Sequence, residues 1–330
     1  MRIALPSFTH NGMRNHMTHT ACHTADQTAN TLASDLAAER LARLKLVAAA
    51  SFVLLSWAGA YVAIGIAARE LSPAPFALAR IGGGALVLLA LLPFVRGVSL
   101  KLPPLRDLPA IAAMALLAFP LYHVALNAGQ RVVSPGVASV LIATLPIFAA
   151  IIARFTLGER PGARGWTGIA IAFGGVALLV TARNGHFELE PTALLVIVSA
   201  MSGSGYMVLQ RQLTRRYTGL QLTIWGMWLG ALMLTPFAPA LVSEVAGVSN
   251  EALLALAYLC VLPTALAYLL WAYVLKMLPA ARATSLLYIV PPIAFLLAWL
   301  VAGIRPGMMD IICSGIVIAG VALVQTARKH

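Results

Sequence analysis

The chain has 330 residues, 60% of them hydrophobic and 10% charged, whereas soluble domains carry roughly 25% charged residues. That composition excludes a soluble globular protein. A net charge of +12 suits a nucleic-acid ligand, but the basic residues sit in short loops between apolar runs, so no nucleic-acid partner is expected.

Residues 1–45 are polar and contain no apolar signal-peptide core, so they read as a disordered cytoplasmic tail. Its His16, His19, Cys22 and His23 have ligand chemistry but no packed scaffold, and no metal or cofactor is expected. Ser34 to Lys45 has helix-forming composition and leads as a short basic helix into the first apolar run. Ten such runs follow, at 46–66, 72–94, 108–128, 134–155, 166–182, 191–209, 219–240, 252–275, 281–302 and 308–326. Each is about long enough to cross a hydrocarbon layer of roughly 30 Å as a helix. None alternates with the period of two of barrel strands. The expected fold is therefore an all-α integral membrane protein with ten transmembrane helices.

The chain repeats itself. Pro146 and Pro291 are 145 positions apart, and the same offset carries Ala138 onto Ala283 and Gly158 onto Gly303. It also relates Gly175-Val176-Ala177-Leu178 to Gly320-Val321-Ala322-Leu323 and Tyr61 to Tyr206. A fixed long period marks a duplicated unit, here 46–182 and 191–326. Five spans per unit is an odd number, so the two repeats must lie in opposite orientations, the inverted architecture of many secondary carriers. With both termini cytoplasmic, thirteen Lys and Arg fall in the inner loops and C-terminus and four (Arg69, Arg131, Arg183, Arg305) in the outer loops, as the positive-inside rule requires.

Arg80 is the one charged side chain well inside an expected span. Burying it at a helix centre costs about 2.5–3.5 kcal/mol on insertion scales, so it should face the bundle interior. There it can anchor a substrate carboxylate bidentately or tie down carbonyls freed by a proline. His123 and Asn127, four residues apart, share a helix face; His123 can titrate near neutral pH or serve as an interfacial hydrogen-bonding group. Trp57, Tyr61, Tyr206, Tyr268 and Trp271 are placed to line a central cavity, with Thr144, Ser202 and Thr264 as neutral hydrogen-bonding groups near mid-depth. Pro120, Pro146, Pro263 and Pro291 interrupt four spans, and such kinks would serve as hinges around a midplane site. No Asp or Glu falls well inside an expected span, which argues against a buried-carboxylate proton relay. Gly226 and Gly230 fit close helix packing, within the bundle or between the protomers of a homodimer.

Two five-helix repeats with a mid-helix proline, a turn Gly158-Glu159-Arg160 after the fourth helix and Gly174-Gly175 in the fifth resemble the EamA-like family of the drug/metabolite transporter superfamily. Trp57-Ala58-Gly59 and Arg80 match the family's first and second helices. In the second repeat Ile304 stands where the family's turn carries glutamate. The resemblance implies a bacterial inner-membrane carrier with no enzymatic activity, moving a small metabolite by alternating access. Export of an amino acid or related amphipathic solute is the expectation, with import or neutral-drug efflux as alternatives and a scaffold without turnover behind them. The partners are then a small-molecule substrate and the lipid bilayer.

Overall fold

A computed structural model describes residues 11–94, 102–156, 158, 162–183, 186–187, 191–278 and 280–327. Among the described residues, ten helical spans are long and apolar enough to cross a membrane. They are span 1 (Ala37–Ala67), span 2 (Pro73–Phe94), span 3 (Leu108–Gly129), span 4 (Pro135–Thr156), span 5 (Ala163–Thr181), span 6 (Pro191–Leu213), span 7 (Gly219–Val245), span 8 (Asn250–Met277), span 9 (Ala283–Ala302) and span 10 (Met308–Thr326). A short hairpin pairs Ala182–Arg183 with His186–Phe187 after span 5.

The first helix begins at Asn11 and runs unbroken to Ala67, so residues 11–45 of the tail expected to be disordered are helical. Beyond Gly12 that stretch holds no Gly or Pro before Gly59, and its Ala, Leu, Glu, Arg and Lys favour helix. The side chains of His16, His19, Cys22 and His23 lie outside the described residues, as do Glu159 and Arg160 of the turn after span 4. Spans 1, 7 and 8 reach further than expected and take Glu39, Glu244 and Glu251 into their terminal turns, while Asp310 sits in the first turn of span 10. No acid enters the middle of a span.

Proline decides where the helices are irregular. Pro120 sits in a π-helical segment, Leu117–Leu121, in the middle of span 3, and Pro263 sits in another, Cys260–Leu266, in span 8. Span 4 breaks between Ile142 and Leu145, ahead of Pro146. Span 9 passes through a 3-10 turn, Leu287–Ile289, ahead of Pro291. A proline lacks the N–H of its turn and clashes with the preceding one, and both pairs of spans absorb this at equivalent depth. Gly303 ends span 9 with a left-handed φ of 67°, a conformation that costs glycine nothing.

The helices pack as the duplication requires. Span 2 lies on the π segment of span 8, and span 7 on the π segment of span 3. Glycines make both contacts close: a methyl at Gly83 or Gly84 would strike Cys260 or Thr264, and one at Gly226 or Gly230 would strike Phe119. Gly226 and Gly230 are therefore used inside the bundle. Spans 5 and 10 form a tight crossing, where Gly168 and Gly320 each approach the other's backbone.

Loops after odd-numbered spans share one face of the bundle, and loops after even-numbered spans share the other. On the odd-loop face the repeats cap each other's helices. Glu70 accepts hydrogen bonds from Ser249 N and Oγ at 2.7 and 2.6 Å, at the start of span 8. Glu244 accepts from Ser72 N at 2.7 Å, at the start of span 2. A carboxylate there meets free N–H groups and the positive end of the helix dipole. On the even-loop face Asp107 accepts from Arg216 at 2.7 Å and from the Tyr217 hydroxyl at 2.6 Å. The seam between spans 4 and 9 is one-sided: Pro135–Ile142 packs on Val290–Ala302, with Phe295 seated against Gly136. Among the described residues no equivalent seam joins Leu145–Thr156 to Ala280–Leu286. The two spans are thus packed together at their odd-loop ends.

Candidate functional site

A π turn leaves carbonyls without their usual helical donors, and in hydrocarbon each must find another partner. Neighbouring helices supply them. Trp57 Nε1 in span 1 donates to Pro263 O in span 8 at 3.1 Å. Ser202 Oγ in span 6 donates to Leu117 O in span 3 at 2.7 Å. Positions 57 and 202 differ by the repeat offset of 145, so the duplicated unit bolts each π segment to the other repeat through one equivalent residue. His123 Nδ1 lies 2.9 Å from Phe119 O in its own span, and its ring stacks on Phe119 and meets Tyr122 edge-on.

Between these bolts lies Arg80. Its side chain is 6% exposed, and Nε donates to Thr264 Oγ1 at 3.2 Å. Nη1 is buried with no hydrogen-bond partner. Tyr61, Tyr122, Tyr268 and Cys260 lie within electrostatic reach of the guanidinium, and Tyr61 and Tyr122 are hydrogen-bonded to each other. Trp57 packs against Tyr268 and Trp271, with ring centroids 6.0 and 5.3 Å apart. The result is a cation walled by tyrosines, tryptophans and a threonine, without a carboxylate beside it. The duplication stops here: Trp225 holds the equivalent position of span 7 and packs edge-on against Tyr217.

The residues expected to gather from the sequence divide into two groups. Trp57, Tyr61, Arg80, Thr264, Tyr268 and Trp271 come together, with His123 joined through Tyr122 and through Phe119, which also touches Tyr268. The others hold the scaffold. Asn127 Nδ2 donates to Pro73 O at 3.1 Å, Thr144 Oγ1, in the break of span 4, to Leu141 O, and Ser202 to the π segment of span 3. Tyr206 packs into the apolar contact among spans 2, 3 and 7. His123 and Asn127 share a helix face but bond to different elements. Tyr122, Gly83 and Gly84 were missed as site residues; the run Gly82-Gly83-Gly84, beginning two residues after Arg80, was the readable signal, because glycines one turn from a buried charge announce a close neighbour.

Comparison with known proteins agrees with this architecture. The model of the EamA-like transporter family matches residues 44–181 and 191–326, once per repeat. The chain is 34% identical over 285 residues to the uncharacterized transporter YdfC of Bacillus subtilis (strain 168), covering 86% of this chain and 91% of that one. It is 34% identical over 280 residues to a Streptantibioticus cattleyicolor protein named "Probable terminal-alkyne amino-acid exporter", covering 85% and 93%. It is 29% identical over 300 residues to the uncharacterized inner membrane transporter YedA of Escherichia coli (strain K12), covering 86% and 92%. One crystal structure, 19% identical in sequence, superposes with a TM-score of 0.57 over 84% of this chain and 95% of that one, a likeness of fold alone. With two family matches that coincide with its two five-span repeats, the chain belongs to the EamA-like transporter family of the drug/metabolite transporter superfamily and is a multi-pass membrane transporter of small molecules.

Proposed function

We propose that the protein exports amino acids or close amphipathic relatives across a bacterial inner membrane by alternating access, with the solute's carboxylate held by Arg80. The observation that carries this reading is Arg80 Nη1, a buried donor with no partner. A buried charge left uncompensated is strongly destabilising, and a solute carboxylate would supply the missing acceptor in a bidentate arrangement. The ring of Trp57, Tyr268 and Trp271 would cover an apolar side chain. The amino-acid class draws support from the relative named as an amino-acid exporter. Carriage alone, with no bond made or broken, is the proposed activity.

The loop charges support cytoplasmic termini and an odd-loop face turned outward. On that orientation the packed seam between spans 4 and 9 lies on the outer side, which favours access of solute from the cytoplasm. Outward release would require the seam at Gly136 and Phe295 to open, with the breaks at Pro146 and Pro291 as hinges.

Flux of radiolabelled L-leucine, L-methionine and L-propargylglycine from proteoliposomes, with and without a pH gradient, tests the reading. Wild type should show saturable flux of at least one of these, and Arg80→Gln should raise KM about 10- to 100-fold, the loss of one charged hydrogen-bonded contact. Saturable flux unchanged in Arg80→Gln would remove the carboxylate anchor. Absence of flux for every amino acid would remove the substrate class.

A further inference from the structure

Beyond Arg80, along span 1, lies a second concavity. Tyr61 belongs to the Arg80 site, and two turns later Arg69 borders a cleft of about 200 Å³ on the odd-loop face, walled also by Val62, Gln130, Arg131, Ser134 and Ile304. Eight residues of helix at 1.5 Å each separate Tyr61 from Arg69 by about 12 Å. The two places are tied by one bond, since Gln130 Nε2 donates to Tyr61 O at 2.8 Å.

Three features make this cleft a site. Gln130 is 4% exposed, and its bond to a carbonyl fixes which end of the amide is nitrogen, leaving Oε1 buried without a partner. That oxygen accepts only from a donor such as an ammonium. Arg69 and Arg131 contribute cationic groups to the same cleft, and Arg131 Nε is braced by Ala68 O at 2.9 Å. These are two of the four basic residues in the odd-numbered loops, placed against the bias that empties translocated loops of Lys and Arg. Ser134 and Pro135 open the helix Pro135–Ile142 in the cleft wall, and the Ser134 side chain does not cap it. The helix's free N–H groups add a further anion-attracting element.

We infer that this cleft is a second solute station in series with Arg80, binding an α-amino acid with its carboxylate at Arg69 and Arg131 and its ammonium at Gln130 Oε1. A dry cavity of about 150 Å³ accepts benzene, so this one suits a solute of amino-acid size. The inference rests on the amino-acid reading proposed above and adds a place where the solute pauses on the far side of Tyr61.

Equilibrium dialysis of the purified full-length protein in detergent with radiolabelled L-leucine, L-methionine and L-propargylglycine tests it. Wild type should bind about two molecules per chain. Arg80→Gln should leave one, and Arg69→Gln/Arg131→Gln should leave the other. Gln130→Met should weaken the cleft about tenfold or more. Leucinamide and N-acetyl-leucine, each lacking one charge, should fail to compete there. Ile66→Trp, a bulkier group on the apolar wall of the cleft, should likewise remove the second molecule and serves if the double arginine variant does not fold. One bound molecule, lost in Arg80→Gln and kept in every cleft variant, would overturn the second station while leaving the carrier reading intact. No binding of any of the three, together with no flux, would overturn both.

Discussion

Trp57 and Ser202 look unrelated as side chains, one a large indole and the other a small hydroxyl. They hold equivalent positions in the two repeats, and each donates one hydrogen bond to a π-segment carbonyl of the opposite repeat. Ser202→Ala removes the donor, and Trp57→Phe removes it together with part of the indole ring. Each should lower stability by about 0.5–2 kcal/mol, the range for interhelical hydrogen bonds in membranes, read as a lower Tm of the detergent-solubilised protein. A matched loss at both positions would show the bolts to be equivalent; no loss at either would mean that packing alone holds the π segments. Arg80 differs because its repeat equivalent is Trp225. A residue needed only to brace the duplicated scaffold has reason to appear twice, and this one appears once. Its burial in a span was readable from its neighbours in sequence. Its bond to Thr264 was not, because 184 residues separate the two.

At the scale of elements, the four prolines do two different things. Pro120 and Pro263 lie in continuous helices that widen into π turns, and those turns are pinned from the neighbouring repeat. Pro146 and Pro291 follow breaks, and only one side of the span 4–span 9 pair is packed. The hinges proposed above are therefore the second pair. Pro146→Ala and Pro291→Ala restore a helical N–H and should straighten their spans. In proteoliposomes each should reduce turnover with little change in KM, and the thermal midpoint should hold or rise. Retained turnover in both would assign the breaks to static shape. Proline positions were legible from sequence at once, whereas the division into pinned and free pairs depends on what packs against each span.

At the scale of the whole molecule, the two repeats are held by carboxylates at the faces. Glu70 has its pKa lowered by the hydrogen bonds from Ser249, and Asp107 has its own lowered chiefly by the Tyr217 hydroxyl, with Arg216 contributing. The same bond raises the pKa of Tyr217. A carboxyl group whose pKa is depressed by folding stabilises the protein above its unfolded value, and that contribution disappears as pH falls through the folded value. The Tm should therefore drop on acidification below the ordinary carboxylate range. Glu70→Gln should start lower at neutral pH and show a shallower acid limb, and adding Asp107→Asn should flatten it further. An acid limb of unchanged slope in the double variant would place the acid sensitivity elsewhere.

Ten apolar runs, an offset of 145 residues and the odd number of spans per repeat determined the architecture before any coordinates. A bilayer allows so few backbone solutions that composition and periodicity nearly suffice. Arg80 and the prolines were legible for the same reason, since a charge or a missing N–H stands out in hydrocarbon. Trp57, Ser202, Thr144 and Asn127 all read from sequence as cavity residues, and only the tertiary structure separated those that bind neighbouring backbone from those that face Arg80. These spans are apolar nearly all round, so periodicity carries no record of which face turns inward. That choice is made by glycines and π turns meeting across the repeats, at distances in sequence that no local pattern spans.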